Sequence, residues 1–560
     1  MRRFFTLAVL CLLALPGFAQ AASPAKSKGL ADILNYIANG WTTLERSNHD
    51  CKTFVDERKQ EGKPLIYFPA DQPLPPIAAD LEKRCGVEVK QLPQKITGPG
   101  QVKVESLGKP GILFLPNPYV VPGGFFNEMY GWDSYFIIRG LLRAGKIDIA
   151  RGQVENFFYE IEHYGSILNA NRTYFLSRSQ PPFLSAMVMA VNDTEKAAAG
   201  VDDKLWLEKA YPYIVKDYQM WTTGEHLAGK TGLSRYYDYG DGPTPDIAAT
   251  GDPYYAEMIT NVLTSGAEVD YFAKDGKSSG PGYNLEVCVD RTDKHSCSKP
   301  AKFLLTDDYY KGDRSMRESG FDVSSRFAPY SGHTHHFAPV CLNSLLFQTE
   351  KNLQKIATIL GKPDEAKDWE SKAIQRSERM SHLMWNQKRG MYFDYDVVAN
   401  HQSMYMYATT FYPLWVGLPT PSLAQSLIAN VKNFERPGGI VMSEYDTKLQ
   451  WDFPYGWAPV NLIDIEGLRA YGATDEANRL SYKFLSMVID NFRKDGTIRE
   501  KYNMMTRSDE VDLSVGYHVN VIGFGWTNGA FLSLLNDLPK DLRDDLEAGR
   551  AWNEVTGTGN

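Results

Sequence analysis

Cysteine is scarce in this chain, which has six in 560 residues and no pair with Cys-x-x-Cys spacing. That absence argues against a zinc site built on cysteines. Positive charge is not in excess either: the net charge is −8 and the lysines and arginines are scattered, unlike in a nucleic-acid-binding protein. Beyond the first 21 residues, no apolar run approaches the roughly 20 residues that a membrane-spanning helix requires. We therefore expect neither nucleic acid nor a membrane as a partner of the mature chain.

The N-terminus has the pattern of a secretory signal peptide. Two arginines precede the apolar run 4–15, and the small-residue stretch Ala19-Gln20-Ala21 follows it. This order is typical of a signal peptide over residues 1–21. It predicts a periplasmic or secreted protein.

An oxidising compartment permits disulfides, although spacing alone does not fix their connectivity. The spacing allows Cys51 to pair with Cys85 and Cys288 to pair with Cys297. Cys341 lies in an apolar helical pattern, which favours a buried free thiol.

Helical patterns dominate from Gly111 onward. One helical face carries the leucines of 342–360, and Pro363 opens a second helix. Helix, long loop and helix then alternate from about residue 147 to 536, with short strand-like runs such as 390–396 in the loops. Hydrophobic residues make up 43% of the chain and charged residues 23%, as in ordinary soluble proteins. The pattern predicts a mostly α domain, preceded by a Pro- and Lys-rich segment (22–110) with little periodicity.

The stretch 122–135 has the chemistry of a sugar-binding loop. It joins a Pro-Gly-Gly turn to Trp132, Asp133 and further aromatic residues. Sugar C–H faces pack on aromatic rings, and sugar hydroxyls need acceptors such as a carboxylate. The alternative is an aromatic-rich core segment after a turn.

A second stretch, 450–459, repeats this chemistry with Trp451, Asp452 and Trp457. Together the two stretches resemble the paired signatures of trehalases, glycoside hydrolase family thirty-seven. Four further blocks continue the resemblance in order along the chain: Asn169–Pro182, Glu318–Arg326, Arg499–Tyr502 and Gly523–Gly529.

The resemblance implies an (α/α)6 barrel over residues 111–560, with 22–110 as an N-terminal extension that packs on it. It also implies hydrolysis of trehalose to glucose with inversion. In this reading Asp322 is the general acid and Glu500 is the general base, and their carboxyl groups lie about 6.5–9.5 Å apart.

The residues themselves suit these roles. Gly320 lets the chain approach closely, and Phe321 can shield the carboxyl of Asp322 from water and so raise its pKa. Arg499 and Lys501 flank Glu500, although adjacent side chains on a strand point to opposite faces. The alternative is that Asp322 caps a helix and Glu500 is a solvated surface charge.

The resemblance further implies a set of sugar-binding residues and needs no cofactor and no metal. We expect a small carbohydrate as substrate and a monomeric protein. The expected substrate-binding residues are Trp132, Asp133, Asn169, Arg178, Gln180, Asp246, Gly320, Trp451 and Trp457.

Three positions depart from the family pattern. Phe125 stands where an arginine of the Pro-Gly-Gly-Arg-Phe motif would touch sugar. Thr244 and Asp246 stand for the Arg and Glu of an Arg-Pro-Glu stretch, and the segment around Tyr517 replaces a loop ending in Gly-Glu-Tyr. Two alternatives follow: a glycosidase that acts on a different α-glycoside, or a catalytically impaired sugar-binding homologue.

Two other classes of protein remain open. The stretch Gly332–His336 holds three histidines in four residues, which can ligate metal in a hydrolase. No His-Glu-x-x-His motif accompanies it, and such a cluster is more often a solvated loop. A helical scaffold for protein partners is the second class.

Overall fold

The structure is a computed structural model, and it describes residues 29–55, 62–250, 252–273, 285–288, 300–515 and 519–556. The proposed signal peptide, the Cys288–Cys297 pair and Tyr517 therefore lie wholly or partly outside the described residues. None of the helices within these ranges has both the length and the apolar composition needed to cross a membrane.

Helices dominate the described residues. The α-helices are α1 Leu30–Leu44, α2 Pro76–Cys85, α3 Asp133–Arg143, α4 Ile147–His163, α5 Leu184–Ala199, α6 Lys204–Trp221, α7 Pro245–Thr250, α8 Tyr254–Ser265, α9 Asp307–Ser319, α10 Val340–Ile359, α11 Pro363–Leu383, α12 Tyr412–Trp415, α13 Pro421–Phe434, α14 Ala458–Ala470, α15 Thr474–Asp495, α16 Gly525–Asp537, α17 Lys540–Glu547 and α18 Trp552–Thr556.

The strands are short and lie in the connections between helices. They are β1 Glu45–Arg46, β2 Leu65–Phe68, β3 Glu88–Gln91, β4 Ile112–Leu113, β5 Tyr119–Val120, β6 Leu285–Cys288, β7 Pro300–Phe303, β8 Phe337–Ala338, β9 Trp385–Asn386, β10 Met391–Tyr392, β11 Tyr395–Asp396, β12 His401–Gln402, β13 Glu435–Arg436, β14 Gly439–Ile440, β15 Tyr455–Trp457 and β16 Lys501–Asn503.

Six helices form a closed inner ring. Each packs against the next in the order α3, α5, α10, α12, α14, α16, and α16 returns to α3. Close packing at the seam depends on glycine: a Cβ on Gly529 of α16 would lie 2.0 Å from the carbonyl oxygen of Phe136 in α3. The predicted (α/α)6 barrel is confirmed, and α10 and α11 occupy the helices predicted from the leucine pattern and from Pro363.

The N-terminal segment contains a helix that the sequence analysis did not identify. Helix α1 buries Ile33, Ile37, Trp41 and Leu44, spaced so that all four share one face. This face packs against α15 and α16, and the backbone N–H of Leu30 donates to the side chain of Glu547 in α17. The two ends of the described chain therefore meet on one side of the barrel.

The rest of the N-terminal segment has its own small core. Strand β2 pairs in parallel with β3 and β4, and Ile66 and Phe68 are buried beside α2. A disulfide joins Cys51 to Cys85 at the end of α2, one of the two pairs that the spacing allows. Cys341 is buried and free, as predicted. The domain boundary between residues 110 and 111 stays a prediction.

Candidate active site

One cavity of about 930 Å³ collects every site residue expected from the sequence. They reach it from the loops that precede the inner helices. Asp133 is the first residue of α3, Gln180 precedes α5, and Trp457 directly precedes α14. The expected residues that line the cavity are Trp132, Asp133, Asn169, Arg178, Gln180, Asp246, Gly320, Asp322, Trp451, Trp457 and Glu500.

Tryptophans form much of the apolar lining of this cavity. Trp451 and Trp457 stack with ring centroids 3.9 Å apart and an interplanar angle of 3°. Trp132 packs beside Trp451 at 5.8 Å. Both Trp132 and Trp457 also contact Trp526, which was not among the expected site residues. Flat, buried aromatic faces of this kind suit the C–H surfaces of a sugar ring.

Gly320 allows α9 to end directly against Trp132. Its φ is +76°, and a Cβ at this position would lie 2.8 Å from Cε2 of the Trp132 ring. The left-handed conformation and the close approach both require glycine here. Gly320 thereby positions the chain so that Asp322, two residues later, faces the cavity.

The carboxyl group of Asp322 has a strongly altered acidity. Burial raises its pKa to about 7, and the guanidinium groups of Arg317 and Arg178 offset this only in part. One third of the side chain (33%) nevertheless remains exposed, because the carboxyl faces the cavity. Asp322 does not cap a helix; it follows α9 in a loop, and its backbone carbonyl accepts from the amide of Gln450.

Glu500 lies in the fifth of the six motif blocks along the chain, immediately before β16. Strand β16 pairs with β15 so that Lys501 lies opposite Trp457, which brings Glu500 beside the tryptophans. Glu500 is buried, and Lys501 Nζ lies 2.9 Å from its Oε2. Glu500 is therefore not a solvated surface charge.

The flanking cations behave differently from each other. The buried ammonium of Lys501 turns toward Glu500, whereas Arg499 pairs with Asp495 at 2.6 Å and with Asp509 at 2.9 Å. The indole N–H of Trp526 donates to the backbone carbonyl of Glu500 at 3.1 Å, which fixes the backbone at this position.

Asp133 is a third buried carboxyl group in the same cavity. Burial raises its pKa well above the ordinary value, and the nearby charges of Glu500 and Asp322 raise it further. Asp133 therefore lies close enough to both expected catalytic carboxyl groups to interact with each of them.

Arginines oppose this negative charge on one side. Arg178 Nη2 lies 3.4 Å from Asp246 Oδ1, and its Nη1 donates to Thr244 at 2.9 Å. Burial alone would raise the pKa of Asp246, but Arg178 and Arg317 outweigh that effect and lower it to about 2. Asp246 is thus a permanent anion at neutral pH.

Arg317 is a cavity residue that the sequence analysis missed. It lies in the last turn of α9, where Asp313 holds its guanidinium at 3.4 Å and the ring of Tyr254 packs against it at 4.7 Å. Its Nη1 lies 4.0 Å from Asp322 Oδ2. No motif marks this position, and only its place five residues before Asp322 on a helix could have indicated it.

The rim of the cavity is apolar where the family pattern has an arginine. Phe125 is 45% exposed there and packs edge-on against Phe126. Val521 and Ile522 line the cavity as well. Among the described residues that line the cavity there is no histidine, so the cluster in Gly332–His336 does not contribute to this site.

A ring of paired helices with an acidic, tryptophan-lined cavity at one end places this chain among the glycoside hydrolases, and the comparisons with known proteins agree. A family model described as Trehalase matches residues 35–539. The chain belongs to the trehalase family.

Its relatives are similar over most of their length. The cytosolic neutral trehalase of Saccharomyces cerevisiae is 33% identical over 87% of this chain and 68% of the relative. That of Beauveria bassiana is 35% identical over 90% of this chain and 72% of the relative. The solved structure of neutral trehalase from Saccharomyces cerevisiae superimposes with a TM-score of 0.76 at 30% identity, covering 95% of this chain and 98% of that one.

These relatives correct one expectation. The predicted periplasmic or secreted location is wrong on this evidence, because the similar proteins of Saccharomyces cerevisiae, Emericella nidulans and Kluyveromyces lactis are all named cytosolic neutral trehalases. The proposed signal peptide over 1–21 has no support from them. The absence of a nucleic-acid partner and the monomeric state stay predictions.

Proposed function

We propose that this protein hydrolyses α,α-trehalose to two molecules of glucose with inversion, with Asp322 as general acid and Glu500 as general base. Membership of the trehalase family supports the substrate. The observation that carries the mechanism is that both carboxyl groups line one sugar-sized cavity in environments that suit opposite roles.

Asp322 meets the requirement of a general acid. A general acid must keep its proton near neutral pH, and a pKa of about 7 allows this. Its partly exposed carboxyl can reach the oxygen between the two glucose units. It would donate its proton to that oxygen as the bond to the anomeric carbon breaks.

Glu500 meets the requirement of a general base. A base must be held where it can take a proton from water, and the ammonium of Lys501 holds the carboxyl of Glu500 at 2.9 Å. Glu500 would take a proton from a water molecule as the water attacks the anomeric carbon from the face opposite the leaving group. The separation of about 6.5–9.5 Å between the two carboxyl groups stays a prediction of this mechanism.

The remaining cavity residues would bind and orient the sugars. The tryptophans provide an apolar wall beside the sugar, while Arg178, Asn169 and Gln180 supply fixed polar groups. Asn169 and Arg178 are already joined, because Arg178 Nη2 donates to Asn169 Oδ1 at 3.4 Å. Gln180 is held by the backbone N–H of Trp132, which donates to its Oε1 at 2.9 Å. Such preorganisation lowers the cost of binding.

The stereochemistry of the products tests the mechanism directly. Immediately after mixing with trehalose, proton NMR should show α- and β-glucose in equal amounts, because only the attacked glucose unit changes its anomeric configuration. Two α-glucose molecules at the earliest times would instead indicate retention and would exclude Glu500 as the base for water attack.

The pH dependence of kcat/KM tests whether Asp322 is the general acid. We expect kcat/KM for trehalose to be level just below pH 7 and to fall about tenfold per pH unit above it, because deprotonated Asp322 cannot donate. With α-glucosyl fluoride, whose leaving group needs little protonation, this alkaline decline should disappear. If the decline persists with the fluoride, it belongs to another group, such as Asp133.

A second candidate substrate follows from the rim. Phe125 and the neighbouring Val521 and Ile522 present apolar surface at the place where the arginine of the family pattern would bind a second glucose. An α-glucoside with a less polar aglycone fits such a rim. Turnover of such a glucoside with no turnover of trehalose would favour this candidate, with the same two carboxyl groups in the same roles.

A further inference from the structure

Two of the three histidines in the stretch Gly332–His336 converge on one carboxylate. His335 Nε2 lies 3.0 Å from Asp308 Oδ1, and His336 Nε2 lies 3.2 Å from the same oxygen. His333 Nε2 lies 3.8 Å from the other oxygen, Asp308 Oδ2. His333 Nε2 is closer to Asp270 Oδ1, at 2.9 Å, so only His335 and His336 lie within hydrogen-bond distance of Asp308.

The distances from Asp308 to His335 and His336 are close to the spacing of ligands around a small metal ion. In a tetrahedral zinc site with bonds of about 2.0–2.1 Å, neighbouring ligand atoms lie roughly 3.3 Å apart. The ligand atoms of Asp308, His335 and His336 all lie within 4.8 Å of one another. Imidazole nitrogens with one carboxylate oxygen are ligands that suit Zn²⁺.

Hydrogen bonds alone explain the arrangement less well. The ring centroids of His335 and His336 lie 4.2 Å apart, and those of His333 and His336 lie 4.9 Å apart with nearly parallel planes. Asp308 is 49% exposed and could be solvated by water instead. Two crowded imidazoles that share one oxygen of an accessible carboxylate are better accounted for by a shared cation.

We propose that Asp308, His335 and His336 form a Zn²⁺ site separate from the catalytic cavity. Helix α9 spans the distance between the two sites, since Asp308 lies in its first turn and Gly320 ends it. A rise of about 1.5 Å per residue places them roughly 18 Å apart along the helix. The ion would not take part in hydrolysis.

The consequence is structural. Bound zinc would tie the turn that holds the histidines to the start of α9, whose other end carries Arg317 beside Asp322. A ligand that binds the folded state and not the unfolded state raises stability. Zinc should therefore raise the melting temperature without altering turnover.

The test uses the untagged, full-length protein after removal of metals with a chelator. Isothermal titration calorimetry with ZnCl₂ should show one Zn²⁺ bound per chain. Thermal unfolding in the presence of Zn²⁺ should show a higher Tm. Asp308→Asn and His336→Gln should each weaken binding by more than about tenfold and remove the rise in Tm. His163→Gln is the matched control, because His163 also pairs with a single aspartate, Asp71, at 3.0 Å but has no second histidine there; it should bind zinc as the unaltered protein does.

Substitution with Co²⁺ gives a second readout that does not depend on a variant folding. The unaltered protein should show the intense visible absorption of tetrahedral Co²⁺, and added Zn²⁺ should abolish it. Absence of stoichiometric binding in the unaltered protein, or equal binding by His336→Gln, would overturn the site. Loss of trehalose turnover in chelator at a temperature where the protein stays folded would overturn its separation from catalysis.

Discussion

Replacing Asp322 by asparagine should lower kcat/KM for trehalose by about 10²–10⁴-fold. Asparagine fills nearly the same volume but has no acidic proton, so the leaving oxygen must depart as an anion. At 1.36 kcal/mol per factor of ten, the loss corresponds to about 2.7–5.5 kcal/mol of transition-state stabilisation. Steady-state assay of glucose release measures it.

Comparing trehalose with α-glucosyl fluoride distinguishes the loss of the acidic proton from structural damage to the protein. Asp322→Asn should keep most of its activity toward α-glucosyl fluoride, because fluoride leaves without a proton. Asp217→Asn is the matched control: burial raises the pKa of Asp217 to about 7 as well, but this residue lies on α6 outside the cavity lining. The control should hydrolyse trehalose normally. An equal loss on both substrates in Asp322→Asn would contradict the assignment as acid.

Replacing Glu500 by glutamine should cause a loss of the same order, about 10²–10⁴-fold, and on both substrates. The reason is that every substrate requires an activated water, whatever its leaving group. Azide has no proton to lose, so azide should restore consumption of α-glucosyl fluoride in Glu500→Ala and yield β-glucosyl azide. Product analysis by proton NMR identifies the anomer.

The Glu500→Gln variant needs a control for stability, because it leaves the buried ammonium of Lys501 without its carboxylate. Such a loss destabilises a protein by about 3–5 kcal/mol. Glu350→Gln creates a comparable defect away from the cavity, since Glu350 is buried and pairs with Arg376 at 2.8 Å. Both variants should melt earlier, and only Glu500→Gln should lose turnover. Full activity in a folded Glu500→Gln protein would show that another group activates the water.

Local patterns predicted the parts of the fold that depend on local sequence. The leucine spacing on α10 and the proline at the start of α11 are signals contained within one helix, and both helices formed where expected. Helix α1 has an equally regular apolar face, but prolines and lysines around it obscured the pattern. Nothing local indicates that this face packs on α15 and α16, which begin 444 and 495 residues after α1 begins.

The candidate site, like the fold, was predictable from sequence only where the signal lies within a few residues. The motif blocks identified three of the four cavity tryptophans and the two carboxylates because their composition is unusual within a few residues. Arg317 was missed because an arginine in a helix is ordinary, and only the packing of α9 turns it toward Asp322. The sequence also could not predict that Lys501 pairs with Glu500 and Arg499 does not. That difference arises because Asp495 and Asp509 bind the guanidinium of Arg499.

The meeting of α1 with α16 and α17 has a consequence for how the protein is made. The apolar face of α1 cannot be covered until α15 and α16, far later in the chain, have left the ribosome. Ring closure therefore has to await synthesis of α16, and until α15 and α16 have been made Ile33, Ile37 and Trp41 stay uncovered and open to chaperones and neighbouring chains.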